Sequence, residues 1–260
     1  AELRATDMRW WIRLAACLCC LFWASAAMAA PVDLLEQDSQ VFLRPSGAAD
    51  VIYSLTFRDN EGRTFIREVG PFYQPMHITR GWLEDGKTKR EVGFSPFSES
   101  VRVDFKDFKT RAGATYTLVM HYRVNHRFAD PTVADGKNLA AVWFNPPRWG
   151  LPIARSVIKL VLPLELPEQV KKHKDITPDM VQALGLQKDE DSKQAQDHFA
   201  LVYTDHEKKR LLTLYAEKKK LAARAPHLIK TFIPAAAFPV LSSGKNVEES
   251  GAAEAERLKI

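Results

Sequence analysis

Histidines offer the first chance of metal chemistry in this chain of 260 residues. His121 and His126 lie five residues apart in a segment with strand periodicity, so their side chains should point to opposite faces. A shared metal ion needs its ligands on one face, and no cysteine or carboxylate cluster accompanies the pair. The other histidines are isolated in the sequence: His77, His173, His198, His206 and His227. We therefore predict no metal site and no cofactor.

The sequence also contains no recognisable motif for nucleophilic catalysis. The sequence Gly93-Phe94-Ser95-Pro96-Phe97 has phenylalanine where a nucleophile elbow needs its second glycine. A glycine-rich phosphate loop is also missing from the sequence. The acidic run Asp189-Glu190-Asp191 is typical of solubilising charge, although a glycosidase-like cleft cannot be read from a sequence. We predict no catalytic residues, and an envelope hydrolase remains the second alternative.

Aromatic residues beside prolines give the best candidate binding surface. We expect the loop Trp143–Trp149 and its neighbour Phe94–Phe97 to lie at strand ends. Such loops can stack on sugars or dock peptides, whereas large aromatic residues near proline turns also often close the end of a core. Both interpretations stay open. The candidate binding residues are Trp143, Phe144, Arg148, Trp149, Phe94, Phe97 and Trp82.

Residues 8–29 have the pattern of a secretion signal. Arg9 and Arg13 form a short basic region, an apolar run follows from Leu14 to Trp23, and a small-residue cleavage pattern ends at Ala29. Cleavage between Ala29 and Ala30 would release the mature protein into the periplasm or the medium. Residues 1–7 are interpreted as upstream translated sequence.

All three cysteines, Cys17, Cys19 and Cys20, lie inside this signal segment. The mature chain therefore has no thiol and no disulfide. Leu14-Ala15-Ala16-Cys17 also spells a lipoprotein box, but Arg13 directly before it leaves no apolar segment ahead of the box. This favours cleavage without lipidation.

Composition limits the partners. The chain is 46% hydrophobic and 27% charged, as in ordinary globular proteins, and its net charge is only +5. Basic residues cluster only in short runs such as Lys218-Lys219-Lys220, which are typical of solvated turns, so nucleic acid is not an expected partner. No apolar stretch after Ala30 is long enough to span a bilayer, so we expect membrane contact only through an anchor after Ile260.

Period-two alternation dominates the sequence before residue 125. Apolar rows occur in 51–57, 101–105 and 116–124, separated by turn sequences around Gly47, Gly62 and Gly86. We predict an antiparallel immunoglobulin-like β-sandwich over residues 30–240, as one domain or two halves. The segment 171–197 is an insertion with one short helix from Thr177 to Gly185, and residues 241–260 are a polar tail.

Two further segments are defined less sharply. The prolines in 143–153 predict a rigid crossover that leads into a strand ending at Pro163. Residues 210–223 fit a strand, but their leucine, alanine, glutamate and lysine content also favours a helix.

The mature region resembles the exported N-terminal β-sandwich domain of a bacterial family of predicted membrane proteins of unknown function. The similarity depends on residues 40–44 and 49–57, on Tyr116–Val124, on Trp143-Phe144-Asn145-Pro146-Pro147-Arg148-Trp149, on 156–163 and on Phe232-Ile233-Pro234 with Phe238. The resemblance implies an immunoglobulin-like sandwich held outside the membrane by a later hydrophobic segment. It implies no catalytic residues.

The sequence thus predicts an extracytoplasmic, non-enzymatic interaction or structural domain of a bacterial envelope protein. Its partner would be an unidentified protein or glycan of the envelope. The first alternative is a carbohydrate-binding module that uses loop tryptophans, which requires two exposed, coplanar tryptophans.

Overall fold

The computed structural model describes residues 30–86, 88–134 and 136–242. The predicted signal segment 8–29 with Cys17, residues 1–7 and tail residues 243–260 lie outside the described residues. In chain order the strands are β1 (Val32–Leu43), β2 (Ala49–Asp59), β3 (Phe65–Val69), β4 (Met76–Asp85), β5 (Thr88–Glu91), β6 (Gly93–Phe97), β7 (Ser100–Asp104), β8 (Ala114–Val124), β9 (Ala129–Ala134), β10 (Lys137–Phe144), β11 (Ile153–Glu165), β12 (Gln187–Lys188), β13 (His198–His206), β14 (Lys209–Leu221) and β15 (Ile229–Pro234).

The strands form three sheets. The largest has eight strands in the order β13-β14-β11-β1-β2-β8-β4-β5. A four-stranded sheet has the order β12-β15-β10-β9, and a three-stranded sheet has the order β3-β7-β6. One buried apolar cluster contains residues of all three, among them Leu55 of β2, Val103 of β7 and Ile229 of β15. The described part is therefore mainly β and sandwich-like.

The predicted alternation produces the central strands. In β2, the side chains of Val51, Tyr53, Leu55 and Phe57 are buried while their neighbours are at least partly exposed. The same pattern holds in β8, where Val119 is buried as well, against the period. Strands with one apolar face gain free energy by burying that face against another layer, and this fixes their register.

One strand pair departs from the predicted antiparallel arrangement. β1 pairs with β11 in parallel, whereas the other described pairings are antiparallel. A parallel pair needs a long crossover, and here more than a hundred residues separate the two strands in sequence. The register places Gln37 opposite Ser156, both with buried side chains.

The inserted helix forms where the sequence predicts it. The helix α1 (Pro178–Ala183) is capped by Thr177, whose hydroxyl accepts a hydrogen bond from the Met180 amide at 3.3 Å. Gly185 follows with φ of 74°, and a Cβ there would lie 2.6 Å from Pro234.

The prediction of a single short helix is wrong. A second helix, α2 (Glu190–Gln194), forms in the polar part of the insertion because the Asp189 carboxylate caps the Ser192 amide. A third, α3 (Pro239–Ser242), ends the described residues at the start of the predicted tail. Two 3₁₀ turns, His173–Asp175 and Ala235–Ala237, add to these.

Residues 210–221 form a strand, which decides between the two predictions for 210–223. From Lys209 to Glu217, β14 pairs with β13, and the hairpin residues Glu207 and Lys208 between the two strands both have positive φ. Leu212, Leu214 and Ala216 are buried on one face. Cross-strand packing thus overrides the helix propensity of leucine, alanine and glutamate.

Several proline-containing segments are strands rather than loops. Phe94 and Phe97 lie in β6, an edge strand in which Pro96 is tolerated because one row of backbone groups needs no partner. Trp143 and Phe144 belong to β10, so the predicted crossover begins only at Asn145. β11 continues through Pro163, where its register with β14 shifts between Val161 and Glu165.

Candidate binding cleft

The structure divides the predicted binding residues by exposure. Phe144 is 1% exposed and therefore belongs to the core. Phe97 and Arg148 are exposed, and the others are half-buried: Trp82, Phe94, Trp143 and Trp149.

Trp143 and Phe144 belong to an aromatic cluster at one end of β10. The rings of both lie near Tyr73, with centroid distances of 5.7 and 6.5 Å. His126 and Phe128 complete the cluster, and His126 stacks on Tyr73 at 4.8 Å. These contacts match the interpretation that the aromatic residues close the end of the core.

Phe94 packs against β4, the strand that carries Trp82. A Cβ at Gly81 would lie 2.4 Å from the ring of Phe94, so that ring rests directly on the glycine backbone. The indole nitrogen of Trp82 donates to Glu84 Oε1 at 2.7 Å, and the ammonium of Lys89 lies 4.8 Å from the Trp82 ring. Among the described residues, no two tryptophan rings are in contact.

Trp149 lies in a different setting, a cleft of about 720 Å³. We call it the arginine cleft, defined by Arg63, Arg67, Arg148, Arg224 and Trp149. Its elements are β3, the crossover after β10 and the turn after β14, where the Arg224 amide donates to the Trp149 carbonyl at 2.7 Å. Glu68 is the one acidic residue among the described residues that line it.

Arg63 is held by the protein itself. Its guanidinium donates to both carboxylate oxygens of Asp59, at 2.8 and 3.0 Å, and Thr110 also donates to Asp59. Burial alone would raise the pKa of Asp59, but these hydrogen bonds, with the amides of Glu61 and Gly62, hold it well below its usual range. This side chain is a structural part of the cleft wall.

The other three arginines have no such partner. Within the described part of the chain, no carboxylate oxygen lies within 4.0 Å of the guanidinium of Arg67, Arg148 or Arg224. Arg67 reaches over the ring of Phe97 at 5.7 Å, which connects the predicted Phe94–Phe97 segment to the cleft. Sequence reasoning named Arg148 but missed Arg67 and Arg224, because only the fold brings them together.

A second cavity of about 410 Å³ adjoins the arginine cleft through the shared residues Pro71 and Arg148. Tyr73, Gln74 and Asn145 line it. Burial raises the pKa of the Tyr73 hydroxyl, while a hydrogen bond with Asn145 and the charge of Arg148 act in the opposite direction.

A buried series of hydrogen bonds starts at Trp149. Its indole nitrogen donates to the Tyr53 hydroxyl at 2.9 Å, and Tyr53 donates to Gln37 Oε1 at 3.3 Å. Gln37 Nε2 then donates to Ser156 Oγ at 2.9 Å. We call this series, continued below to His227 and Gln196, the polar chain.

The far end of the polar chain is a serine–histidine pair. Ser156 Oγ lies 2.6 Å from His227 Nδ1, and His227 Nε2 lies 2.9 Å from Gln196 Oε1. Because an amide oxygen only accepts, Nε2 carries the proton and Nδ1 accepts from Ser156. Burial, helped by the charge of Lys218, lowers the pKa of His227 to about 3, so the imidazole is neutral.

This pair is buried too deeply to act on a substrate. A serine beside a histidine base is the arrangement of an activated nucleophile. Ser156 is 0% exposed and His227 is 1% exposed, and each side-chain polar atom of the pair is already hydrogen-bonded within the fold. The pair therefore acts as a core hydrogen-bond junction, and no sequence motif indicated it.

The described residues contain neither a candidate metal site nor a helix that could span a membrane. No group of three or more histidine, cysteine, aspartate or glutamate residues in 30–86, 88–134 and 136–242 could hold a metal ion. His121 packs near Trp82, while His126 belongs to the aromatic cluster of β10. Over the same residues, no helix has the length and apolarity needed to cross a membrane.

No family model and no curated protein matches this chain. Among solved structures it is similar to an M1 zinc metallopeptidase from Deinococcus radiodurans, with 13% identity and a TM-score of 0.48 over 78% of this chain and 42% of that one. A mutant of the Deinococcus radiodurans enzyme bound to a Tyr-Ser-Ala substrate gives 14% identity, a TM-score of 0.45, and coverage of 78% and 43%. A two-domain M1 zinc metallopeptidase mutant bound to L-tryptophan gives 14% identity and a TM-score of 0.43, over 79% of this chain and 43% of that one.

The chain thus spans less than half the length of each of these structures. Similarity at this level identifies neither a family nor an activity.

Proposed function

We propose that this protein is an extracytoplasmic, non-enzymatic interaction domain of a bacterial envelope protein, and that the arginine cleft is its interaction surface. The signal-like segment 8–29 supports export, and the mainly β, sandwich-like arrangement supports an interaction or structural domain. The observation that carries the proposal is the set of three guanidiniums, Arg67, Arg148 and Arg224, that face one cleft without acidic partners among the described residues.

An exposed guanidinium without an internal partner has its N–H donors available to a bound anion, with which it forms strong charge-assisted hydrogen bonds. A hydrolase would need carboxylates or histidines that converge in a cleft. The arginine cleft is lined, among the described residues, by one carboxylate and no histidine. A module built on coplanar tryptophans would need two stacked platforms, whereas Trp82, Trp143 and Trp149 have separate partners.

Engineered cysteines test this proposal, because the predicted mature chain has none of its own. Gly150 lines the cleft, and a Cβ there would meet no atom within 4 Å, so Gly150→Cys places a thiol in the cleft without strain. Val133→Cys in β9, at a side chain 68% exposed, is the matched control outside the cleft. Each variant is treated with a maleimide that does not cross the inner membrane, both in intact cells and after purification.

The proposal predicts that Val133→Cys reacts in intact cells and after purification alike. Gly150→Cys should react when purified but be protected in cells, because the partner covers it. Failure of both thiols to react in intact cells would contradict export. Equal reaction of Gly150→Cys in cells and in isolation would contradict an interaction at this cleft.

A further inference from the structure

The cationic side of the arginine cleft suits carboxylate groups. Guanidiniums present fixed pairs of N–H donors that match the two oxygens of a carboxylate. Glu68, the one acidic residue among the described lining residues, accepts a hydrogen bond from Ser100 at 3.2 Å. Three arginines against one glutamate leave the accessible lining positive, even with Arg63 neutralised by Asp59.

The apolar side of the cleft is an indole. The polar edge of Trp149 is turned into the core, where its nitrogen is bonded to Tyr53. What the side chain contributes to the cleft is therefore the rest of a flat apolar ring, beside Ile66 and Leu151. A flat ring next to charged donors fits the C–H face of a sugar that also carries an acid group.

The adjoining cavity indicates a ligand longer than one unit. It continues the cleft past Arg148, and its polar lining is Gln74, Asn145, Tyr73 and one carboxylate, that of Glu99. Amide and hydroxyl groups of this kind pair with hydroxyl-rich ligands. The cleft alone, at about 720 Å³, already lies in the size range of small-molecule sites, so the two cavities together accommodate successive sugar rings.

We infer that the arginine cleft binds an acidic polysaccharide, with the carboxylates on Arg67, Arg148 and Arg224 and one sugar face on Trp149. This inference rests on the proposed function and names the chemistry of its partner. An acidic peptide would also satisfy the arginines, and the oligoglutamate titration below separates it from an acidic sugar.

The test compares ligands that differ in one property. The purified full chain is titrated by calorimetry with oligogalacturonate, with the same oligomer after methyl esterification, and with oligoglutamate. Arg148→Gln and Arg224→Gln remove cleft charges, and both side chains are exposed, so these variants should fold. Arg90→Gln is the matched control, because Arg90 is an exposed arginine over Phe108 outside the cleft.

Oligogalacturonate should bind, and each cleft variant should weaken binding by about tenfold, the loss expected for one charge-assisted pair. Arg90→Gln should bind as the unmodified protein does, and raising the salt concentration should weaken binding. The methyl ester should bind at least about tenfold more weakly, since it keeps the rings but loses the charge.

Equal binding of the ester and the acid would overturn the inference, and so would equal losses in Arg90→Gln and Arg148→Gln. Oligoglutamate binding as tightly as the sugar would replace it with an acidic-peptide site. If no oligomer binds while Gly150→Cys stays protected in cells, the ligand class is wrong and the proposed function stands. If Gly150→Cys is unprotected, the proposed function itself fails.

Discussion

The polar chain and the arginine cleft meet at Trp149, and they differ in whether their polar groups have partners within the protein. In the polar chain, each group from Tyr53 to Gln196 has a partner inside the fold. In the arginine cleft, Arg148 and its two neighbours face solvent without an acidic partner among the described residues. Satisfied buried groups fix one arrangement of the core, whereas unpaired charges in a concave surface are available to a ligand.

The largest difference in stability is expected between alanine variants of two buried serines, Ser156 and Ser39. Ser156→Ala leaves Gln37 Nε2 and His227 Nδ1 without a partner, and we expect it to lower the free energy of unfolding by about 1–3 kcal/mol. Ser39, in the neighbouring strand β1, is also fully buried, but its hydroxyl has no partner among the described residues.

Ser39→Ala should therefore be neutral or stabilising, because it removes a polar group that is already unpaired. Urea unfolding monitored by circular dichroism measures both variants. Equal losses for Ser39→Ala and Ser156→Ala would show that the hydrogen bonds of the polar chain add nothing to stability.

The second difference concerns pH. The pKa of His227 is about 3 in the fold, below the value of about 6.5 of an unperturbed histidine. Between these two pH values, His227 is protonated in the unfolded chain but neutral in the folded chain. The contribution of His227 to stability is therefore fully present above the higher value and falls as the pH drops below it. From about pH 7 to about pH 5 we expect a loss of about 2 kcal/mol from this group.

His227→Gln should remove most of that pH dependence, whereas His198→Gln, at an exposed position, should leave it unchanged. Urea unfolding of the unmodified protein and the two variants at both pH values measures the loss of stability on acidification. An unchanged slope in His227→Gln would mean that other groups dominate the acid response. Glu217 affects stability at a lower pH than His227 does. Hydrogen bonds from Arg155 and Tyr215 hold the pKa of Glu217 at about 2, so its contribution to folding stability is lost only below about pH 4.5.

These regions also show what a sequence can predict. β2, β8 and the Thr177 cap follow from local alternation and capping residues, and the structure confirms them. The parallel β1–β11 pair and the Ser156–His227 contact join residues far apart in sequence, and no local signal marks either. A strand through Pro96 could not be predicted either, since the sequence does not reveal which strands lie at an edge.

A smaller effect is expected where the two regions join. Trp149→Phe keeps an aromatic ring, smaller than the indole, but loses the hydrogen bond to the buried Tyr53 hydroxyl, and the lost bond should cost about 1 kcal/mol. Trp143→Phe makes the same reduction in ring size, but the hydrogen bond that it loses is longer, 3.3 Å, and joins the exposed Asp130, so it should cost less. Thermal unfolding of both variants measures the difference, and a larger loss in Trp143→Phe would contradict the ranking.

The smallest effect on stability is expected in the cleft. Arg148→Gln removes an exposed charge without a carboxylate partner among the described residues, so stability should change by less than about 0.5 kcal/mol. Urea unfolding beside Arg90→Gln checks this. A loss as large as that of Ser156→Ala would mean that Arg148 is part of the structural framework.

The affinity of the folded protein for oligogalacturonate, compared between Ser156→Ala and Arg148→Gln, tests the division between the two regions most directly. Ser156→Ala should bind like the unmodified protein although it is less stable. Arg148→Gln should be as stable as the unmodified protein but should bind the oligomer about tenfold more weakly than the unmodified protein does. Normal binding by Arg148→Gln together with weakened binding by Ser156→Ala would contradict the account.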